Sequence, residues 1–304
     1  MPNFIVTSLP EYVQTNRDLL IKNFGLLGSA TRQRISIQTG VKKSAYINYL
    51  DVAPVFQDGS SCGFAAAGDA TLSQREIETA AIKVNMEFCE MNLRGTYAEY
   101  LIRVNASEES FPFEQYVTDA LVAGINEKIE KLIWQGDKSL TSNTDLKWID
   151  GFLKLAGAED SVVDVAITDE SAYEAIKKVV MAIPEAALEK GAEVYVSPAM
   201  YRQFLAEMVE KNFFHYAGPQ NAAPAEFVFP GSDVKVVKTP GLAGANKIVA
   251  TFAKNLYYGT DMEGDAEDIK LWFSNDDDIF KLKVLWNSGV QIAFPDQVVL
   301  GTIA

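Results

Sequence analysis

FEQYVTDALVAGINEKIEKLIWQ, Phe113 to Gln135, is the stretch on which the reading of this chain turns. Val117, Leu121, Ile125, Ile129 and the Leu132/Ile133 pair recur every three or four residues, which lays one apolar stripe along a helix. Glu114, Asp119, Glu127, Lys128, Glu130 and Lys131 fill the remaining positions. Pro112 stands where helices tend to begin, and Gly136 where they tend to end. The helix predicted over 113–135 is roughly 34 Å long, well beyond the usual three turns. A helix of that length is either a long core helix of an α+β protein or a strut that spans the subunit and carries flatter elements.

Composition narrows the classes. The chain has 304 residues, 48% hydrophobic and 22% charged, which suits a soluble globular protein of one large or two ordinary domains. No run approaches the ~18 uninterrupted apolar residues of a membrane helix. The opening Met1-Pro2-Asn3-Phe4 lacks the basic start and apolar run of an export signal. Two cysteines, Cys62 and Cys89, and a single His215 give no zinc-finger site and no disulfide framework; free thiols are expected. Ser-His or Cys-His catalysis would have to pass through His215, which sits in the aromatic run Phe213-Phe214-His215-Tyr216 and reads as a packed core histidine. The net charge of −14 argues against a protein built to grip phosphates, although nucleic acid nearby is tolerated. Like charge also keeps a concentrated protein soluble until a specific contact forms.

Upstream of the long helix, residues 1–30 read as an arm with one short amphipathic helix from Leu9 to Gly25, its apolar side made by Tyr12, Leu19, Leu20 and Phe24. Such an arm needs a surface to pack on. Residues 31–85 look extended around Ile35, Ile37 and Tyr46-Ile47-Asn48-Tyr49, and again over Ile77–Val84. Between these lies a soft stretch, Asp58-Gly59-Ser60-Ser61-Cys62-Gly63 then Ala65 to Asp69. The pattern is that of a two-stranded ribbon with a pliant tip, marginal in isolation and stabilised from outside the subunit. Met86, Phe88, Cys89, Met91 and Leu93, then Tyr97, Tyr100 and Leu101, read as a helical lead-in to the long helix.

Downstream, from Leu146, the pattern is compact α/β. Ala172, Tyr173, Ile176, Val179, Val180 and Ile183 keep helical spacing, with Thr168 as the expected cap and Glu170 in the first turn. Pro184 limits that helix, the pattern resumes through Leu188, and Gly191 stops it. Strands are predicted at 193–196, 234–237 and 247–251. Ser197-Pro198 opens another helix with Tyr201, Leu205, Met208 and Val209 on its apolar side. Toward the end, Ile269–Phe273 and Phe280–Trp286 alternate across the polar turn Ser274-Asn275-Asp276-Asp277-Asp278. Phe280, Leu282, Val284 and Trp286 share one face, Lys281 and Lys283 the other.

Reactive chemistry is sparse. Neither GxxxxGK[ST] nor a strand–GxGxxG–helix arrangement occurs, and Gly241-Leu242-Ala243-Gly244 reads as a turn. The acidic run Asp261, Glu263, Asp265, Glu267, Asp268 has the look of a cation site. As a calcium loop it fails, because glycine falls at Gly264 and Trp272 occupies the twelfth position. A weak divalent-cation site and a solvated acidic loop both remain open, the loop being the simpler account. No catalytic, cofactor-binding or metal-ligating residue is assigned.

The last fifty residues carry a recognisable order: Asn255-Leu256-Tyr257-Tyr258-Gly259-Thr260-Asp261, the acidic loop, the alternating strands, then Asn287-Ser288-Gly289-Val290-Gln291-Ile292-Ala293-Phe294-Pro295-Asp296. With Glu193-Val194-Tyr195-Val196-Ser197-Pro198 and Ala81-Ile82-Lys83-Val84 leading into Asn92-Leu93-Arg94-Gly95-Thr96, this order closely resembles the major capsid proteins of tailed bacteriophages, which have the Hong Kong 97-type fold. The resemblance covers nearly the whole chain in element order, and its motifs are loose singly. It implies an α+β capsid fold divided as follows: N-terminal arm over 1–30, extended E-loop β-ribbon over 31–80, peripheral (P) domain over 81–145 and 261–304 with spine helix 113–135, and compact α/β axial (A) domain over 146–260.

The function the resemblance implies is structural and not enzymatic: a subunit that self-assembles into pentamers and hexamers of an icosahedral phage head enclosing double-stranded DNA. No cofactor is expected. Partners would be copies of itself, a separate scaffolding protein (the arm starting at Met1 leaves no room for a cleaved scaffolding segment), portal and decoration proteins, and weakly contacted DNA, with no membrane; assembly would take place in the bacterial cytoplasm. Some members of the family weld neighbours through a lysine–asparagine isopeptide bond, for which Lys42 or Lys43 and Asn287 are the available residues. A nanocompartment shell of the same fold is the first alternative, and a soluble α/β enzyme or binding protein the second.

Overall fold

The computed structural model describes residue 14 and residues 31–57, 67–89, 113–142, 145–168, 171–211, 226–261, 268–277 and 279–303. In chain order the first strands are β1 (Ser36–Gln38), β2 (Ser44–Pro54), β3 (Gly68–Glu78) and β4 (Ala80–Cys89), followed by helix α1 (Phe113–Gln135). Next come α2 (Phe152–Ala158), β5 (Val163–Ile167), α3 (Ala172–Met181), α4 (Glu185–Leu188), β6 (Ala192–Val196) and α5 (Pro198–Glu210). The chain ends with β7 (Glu226–Val228), β8 (Lys235–Lys238), β9 (Lys247–Phe252), β10 (Leu256–Gly259), β11 (Asp268–Ser274), β12 (Ile279–Ile292) and β13 (Val299–Ile303).

Three sheets result. One has the order β1-β10-β12-β11, with β4 also paired to β12. The second is six-stranded, β5-β13-β9-β6-β8-β7, and the third is the two-stranded β2-β3 ribbon. Long β12 joins much of the first sheet: its Ile279–Leu285 half lies between β11 and β4, and its Gly289–Ile292 end pairs with β10. Strand β6, buried at every residue, is central in the second.

Helix α1 has the bounds its periodicity predicts. Ile125, Ile129, Leu132 and Ile133 are buried, and Val117 and Leu121 are half-buried. Their stripe packs with Phe280, Leu282, Val284 and Trp286, the buried face of β12. The next residue of α1 points elsewhere. The Trp134 ring meets Phe152 edge-on at 5.3 Å and Tyr195 of β6 at 5.2 Å, so the helix end reaches the second sheet as well. That sheet is covered on both faces: Tyr195, Val237 and Val249 turn toward α1 and α2, while Val194, Val196, Val236 and Ile248 turn toward α3 and α5. Two nearly continuous apolar strands, β6 and β9, are what a sheet covered on both sides requires.

Polar groups pin the same helix end. Glu130 is buried rather than solvent-facing, because its Oε1 accepts the Thr31 backbone N–H at 2.8 Å. The Trp134 indole N–H donates to Thr31 Oγ1 at 2.9 Å, and Arg32 Nη2 donates to Asn126 Oδ1 at 2.8 Å. Gln135 Nε2 donates to the Gly241 carbonyl at 2.6 Å, in the turn Pro240–Leu242. Approach there is so close that a Cβ on Gly241 would lie 2.3 Å from Trp134 Cδ1. Tyr195 is buried, and desolvation together with the Glu193 carboxylate holds its hydroxyl well above the ordinary value, so it stays protonated and donates to Glu193 Oε2 at 3.0 Å.

Some local readings are corrected. Met86–Cys89 continues strand β4 instead of opening a helix, because Phe88 alternates with Glu87 and stacks on Phe280 at 5.7 Å. The rest of that lead-in, residues 90–112, lies outside the described residues, as do the 9–25 arm helix apart from residue 14, the ribbon tip at 58–66, Cys62 and His215. The cap of α3 is Ser171, whose side chain accepts from the Glu174 N–H, and not Thr168. On α5 the buried set is Tyr201, Phe204 and Met208 at three-four spacing, leaving Val209 exposed. Ser197 caps α5 and Pro198 opens it, as predicted.

Glycines test this packing directly. Gly124, inside α1, has nothing within 4 Å of a would-be Cβ. Gly124→Ala is expected to raise stability by about 0.5–1 kcal/mol through helix propensity, whereas Gly241→Ala is expected to lower it by about 1–3 kcal/mol through overpacking. Urea midpoints of the two variants should move in opposite directions.

Candidate assembly surfaces

The ribbon is anchored at one end and uncovered at the other. At its base Ile47 and Ile77 are buried with Val41 and Ala293, and Tyr49 lies over Phe294 at 4.8 Å. Gln291 Nε2 donates to the Glu76 carbonyl at 2.7 Å, Lys138 pairs with Glu78 at 3.2 Å, and Arg75 pairs with Glu159. Gly289 lets the chain pass, since a Cβ there would lie 2.0 Å from the Glu78 carbonyl oxygen.

Asn255 holds Phe294 in place under Tyr49. Fully buried, its Nδ2 donates to the Phe294 carbonyl at 2.8 Å and to Thr251 Oγ1 at 2.9 Å, while its Oδ1 accepts the Phe294 N–H at 2.6 Å. The residue that opens the Asn-Leu-Tyr-Tyr-Gly run is therefore a clamp between β9, β10 and the turn after β12. Nothing in its neighbours marks it as one, because Phe294, which takes two of its three hydrogen bonds, lies thirty-nine residues away.

Beyond Tyr49 and Ser73 cover is lost. Leu50 faces Leu72 across the ladder, and both are exposed, as are Tyr46 and Val52 on the same outward face. Val55 is exposed as well, and Phe56 is 98% exposed. Contiguous apolar surface on a free two-stranded ribbon marks an interaction site. A second open surface lies between α1 and β4, a groove of about 400 Å³ lined by Met86, Leu121, Gly124, Ile125, Trp148 and Trp286.

The remaining candidates resolve differently. The Asn287 side chain is buried, and its amide donates to the Lys42 backbone carbonyl at 3.5 Å. Lys42 and Lys43 are exposed, so what meets at this place is amide and backbone rather than amide and ammonium. Of the acidic run, Asp261 is buried and Asp268 begins β11, while 262–267 lie outside the described residues. Among the described residues no group of three or more His, Cys, Asp or Glu is placed to hold a metal ion, and no helix is long and apolar enough to cross a membrane. Cys89 is a half-buried free thiol.

No protein-family model matches the sequence, and no curated protein does. Solved structures do match the fold. The procapsid of satellite phage P4, which includes the size determination protein Sid, aligns over 96% of this chain and 99% of its own with a TM-score of 0.63 at 12% identity. The capsid of the native GTA particle aligns over 91% and 96% with a TM-score of 0.52 at 16% identity. A virus-like particle from Pyrococcus furiosus aligns over 97% and 98% with a TM-score of 0.50 at 11% identity. The chain has the Hong Kong 97-type capsid fold.

Within the Hong Kong 97-type fold, α1 is the spine helix, β2 and β3 form the E-loop ribbon, and the six-stranded sheet with α3 and α5 is the compact α/β layer. Asn255→Ala removes three hydrogen bonds and leaves the Phe294 N–H unpaired in a part-buried place. A loss of about 2–4 kcal/mol in urea unfolding is expected, accompanied by faster proteolysis of the ribbon as Tyr49 loses its platform.

Proposed function

We propose that this chain is the major capsid subunit of a tailed phage or a phage-derived particle. It assembles through pentamers and hexamers into an icosahedral shell that encloses double-stranded DNA, in the cytoplasm of a bacterial host. The observation that carries this reading is the ribbon: eleven paired residues per strand, anchored at the base and exposed and apolar at the far end. A surface of that kind is covered by another copy, and contacts between unlike patches close into rings. The likeness to procapsid and capsid structures supports it.

On this reading the arm over 1–30 and the β2-β3 ribbon serve neighbours, and the compact α/β layer clusters at the symmetry axes; the expected bounds shift, because β1 (Ser36–Gln38) and β10 (Leu256–Gly259) pair in the first sheet with β12, while β13 (Val299–Ile303) pairs with β5 and β9 in the six-stranded sheet. The role is structural, without catalysis or cofactor. A separate scaffolding protein, a portal and decoration proteins complete the particle. The −14 charge suits a wall along which DNA moves without sticking. Neighbours are held without isopeptide bonds, since Asn287 is turned inward onto Lys42.

A nanocompartment shell is the second reading, favoured by the Pyrococcus furiosus virus-like particle and by the open groove on α1. Particle contents separate the two: nuclease-protected DNA for a phage head, a folded enzyme for a nanocompartment. Size-exclusion chromatography and negative-stain microscopy of the purified chain test both, and discrete monomers under all conditions, including low salt with scaffold, would refute both. Deleting residues 57–69 is expected to leave a folded subunit that yields no stable shells. Denaturing gels of intact particles are expected to show only the monomer band.

A further inference from the structure

Phe294 packs in two clusters at once. It touches the ribbon-base group of Val41, Ile47, Ile77 and Ala293, and also the core between the six-stranded sheet and helices α3 and α5. Tyr49 of the ribbon lies over it, and Phe252, the last residue of β9, has its ring 6.3 Å away. Asn255 grips the Phe294 backbone. The ring itself is met by Lys190.

Lys190 stands in the turn between α4 and β6, just before Gly191, whose φ of 79° lets the chain reverse. Its Nζ lies 4.8 Å from the Phe294 ring centroid and 4.9 Å from that of Phe252, and it donates to Gln297 Oε1 at 2.8 Å. Gln297 is buried at the end of the short turn Pro295–Gln297, where its carbonyl accepts from Thr251 Oγ1 at 3.0 Å. Other lysines of the chain behave differently: Lys128, Lys138, Lys154 and Lys281 each pair with a carboxylate. Surface ion pairs of that kind contribute little and hold little in place. A cation shared by two ring faces and a neutral amide has a definite position, and so have the rings beneath it.

We propose that Lys190 is a positioning residue that couples the ribbon to the α/β layer: its cation holds Phe294 against Phe252, and Phe294 in turn holds Tyr49. The path is contiguous, from the α4–β6 turn through one ammonium and one ring to the ribbon base. The ion pairs Lys138–Glu78 and Arg75–Glu159 tie the ribbon to the segments on either side of α2 instead, so they act on another part of the body. A displacement of the α4–β6 turn is therefore felt in the direction at which the ribbon leaves. The coupling lies within a single copy and stands whether or not copies build a shell.

Hydrogen exchange with a double-mutant cycle tests it. Amide exchange is followed over 44–49 and 73–78, the ribbon base, with β6 and β8 as the reference, on the full chain held to one oligomeric state by size-exclusion chromatography. Lys190→Met keeps the aliphatic stem and removes the cation. It is expected to speed exchange at the ribbon base about ten-fold, while β6 and β8 stay within about two-fold of the wild type. Lys190→Arg, which returns a cation to the rings, is expected to recover most of the protection. In a Tyr49→Ala background the path is already cut, so Lys190→Met is expected to add less than about two-fold there. Wild-type exchange at the ribbon base of Lys190→Met overturns the coupling, as does a full-sized effect in the Tyr49→Ala background or no recovery with arginine. Loosening confined to residues 185–192 also overturns it and leaves Lys190 a brace of its own turn. If Lys190→Met does not fold, Lys190→Gln is measured in its place against the same criteria.

Discussion

The rigid part of the subunit converges on the last turns of α1, where three kinds of contact meet within about two turns. Ile129 and Ile133 close the core against β12, Trp134 bridges to Phe152 and Tyr195, and Glu130 receives the Thr31 N–H. Backbones nearly touch there: Gly151 N–H donates to the Gly136 carbonyl at 2.8 Å, and any side chain on Gly136 would collide with the Ile149 carbonyl at 2.5 Å. A tryptophan buried with its indole N–H satisfied contributes area and direction at once. Through this one helix end, both large sheets and the entering N-terminal segment share a fixed geometry.

That arrangement leaves an asymmetry. Side chains near α1 are packed on all sides, while along the ribbon's inner face cover falls from buried Ile77 through half-buried Arg75 and Ser73 to exposed Thr71 and Asp69. A two-stranded ribbon is marginal by itself, so its far end sits at the low end of local stability in the isolated subunit. The polar clamps at its base, Asn255 with Phe294 and Lys138 with Glu78, set the direction in which the ribbon leaves without lending cover further out. Rigidity in the body and want of cover in the ribbon are complementary: a fixed exit angle is useful only if another body waits at a fixed place.

How much of this was legible in the sequence depended on range. Helix α1 was readable because its stripe repeats every three or four residues and its packing obeys that repeat. Strand β12 was readable for the same reason at period two, with Lys281 and Lys283 correctly set opposite Phe280, Leu282, Val284 and Trp286. Ser197-Pro198 was readable because capping is decided within four residues. Glu130 and Asn126 were not, since the residues that bury them, Thr31 and Arg32, lie 99 and 94 positions away. Met86–Cys89 misled because a short apolar run cannot by itself choose between helix and strand; pairing with β12 chose. The candidate surfaces show the same division. The ribbon's marginal character was visible in composition, but which residues face outward, and that Lys83, Lys270 and Lys283 share one face, followed only from register.

Charge sets the terms on which such subunits meet. Each carries −14, so copies repel at long range, but at physiological salt that repulsion is screened beyond about 8 Å. Contacts at van der Waals distance are not screened in this way, and apolar burial is insensitive to net charge. A strongly acidic subunit therefore stays soluble against nonspecific association while losing little at a contact where apolar area and opposite charge coincide. Leu50, Val52 and Leu72, on the ribbon's outward face, supply such apolar area. Nonspecific association is opposed over most of the surface and opposed least where that apolar area lies.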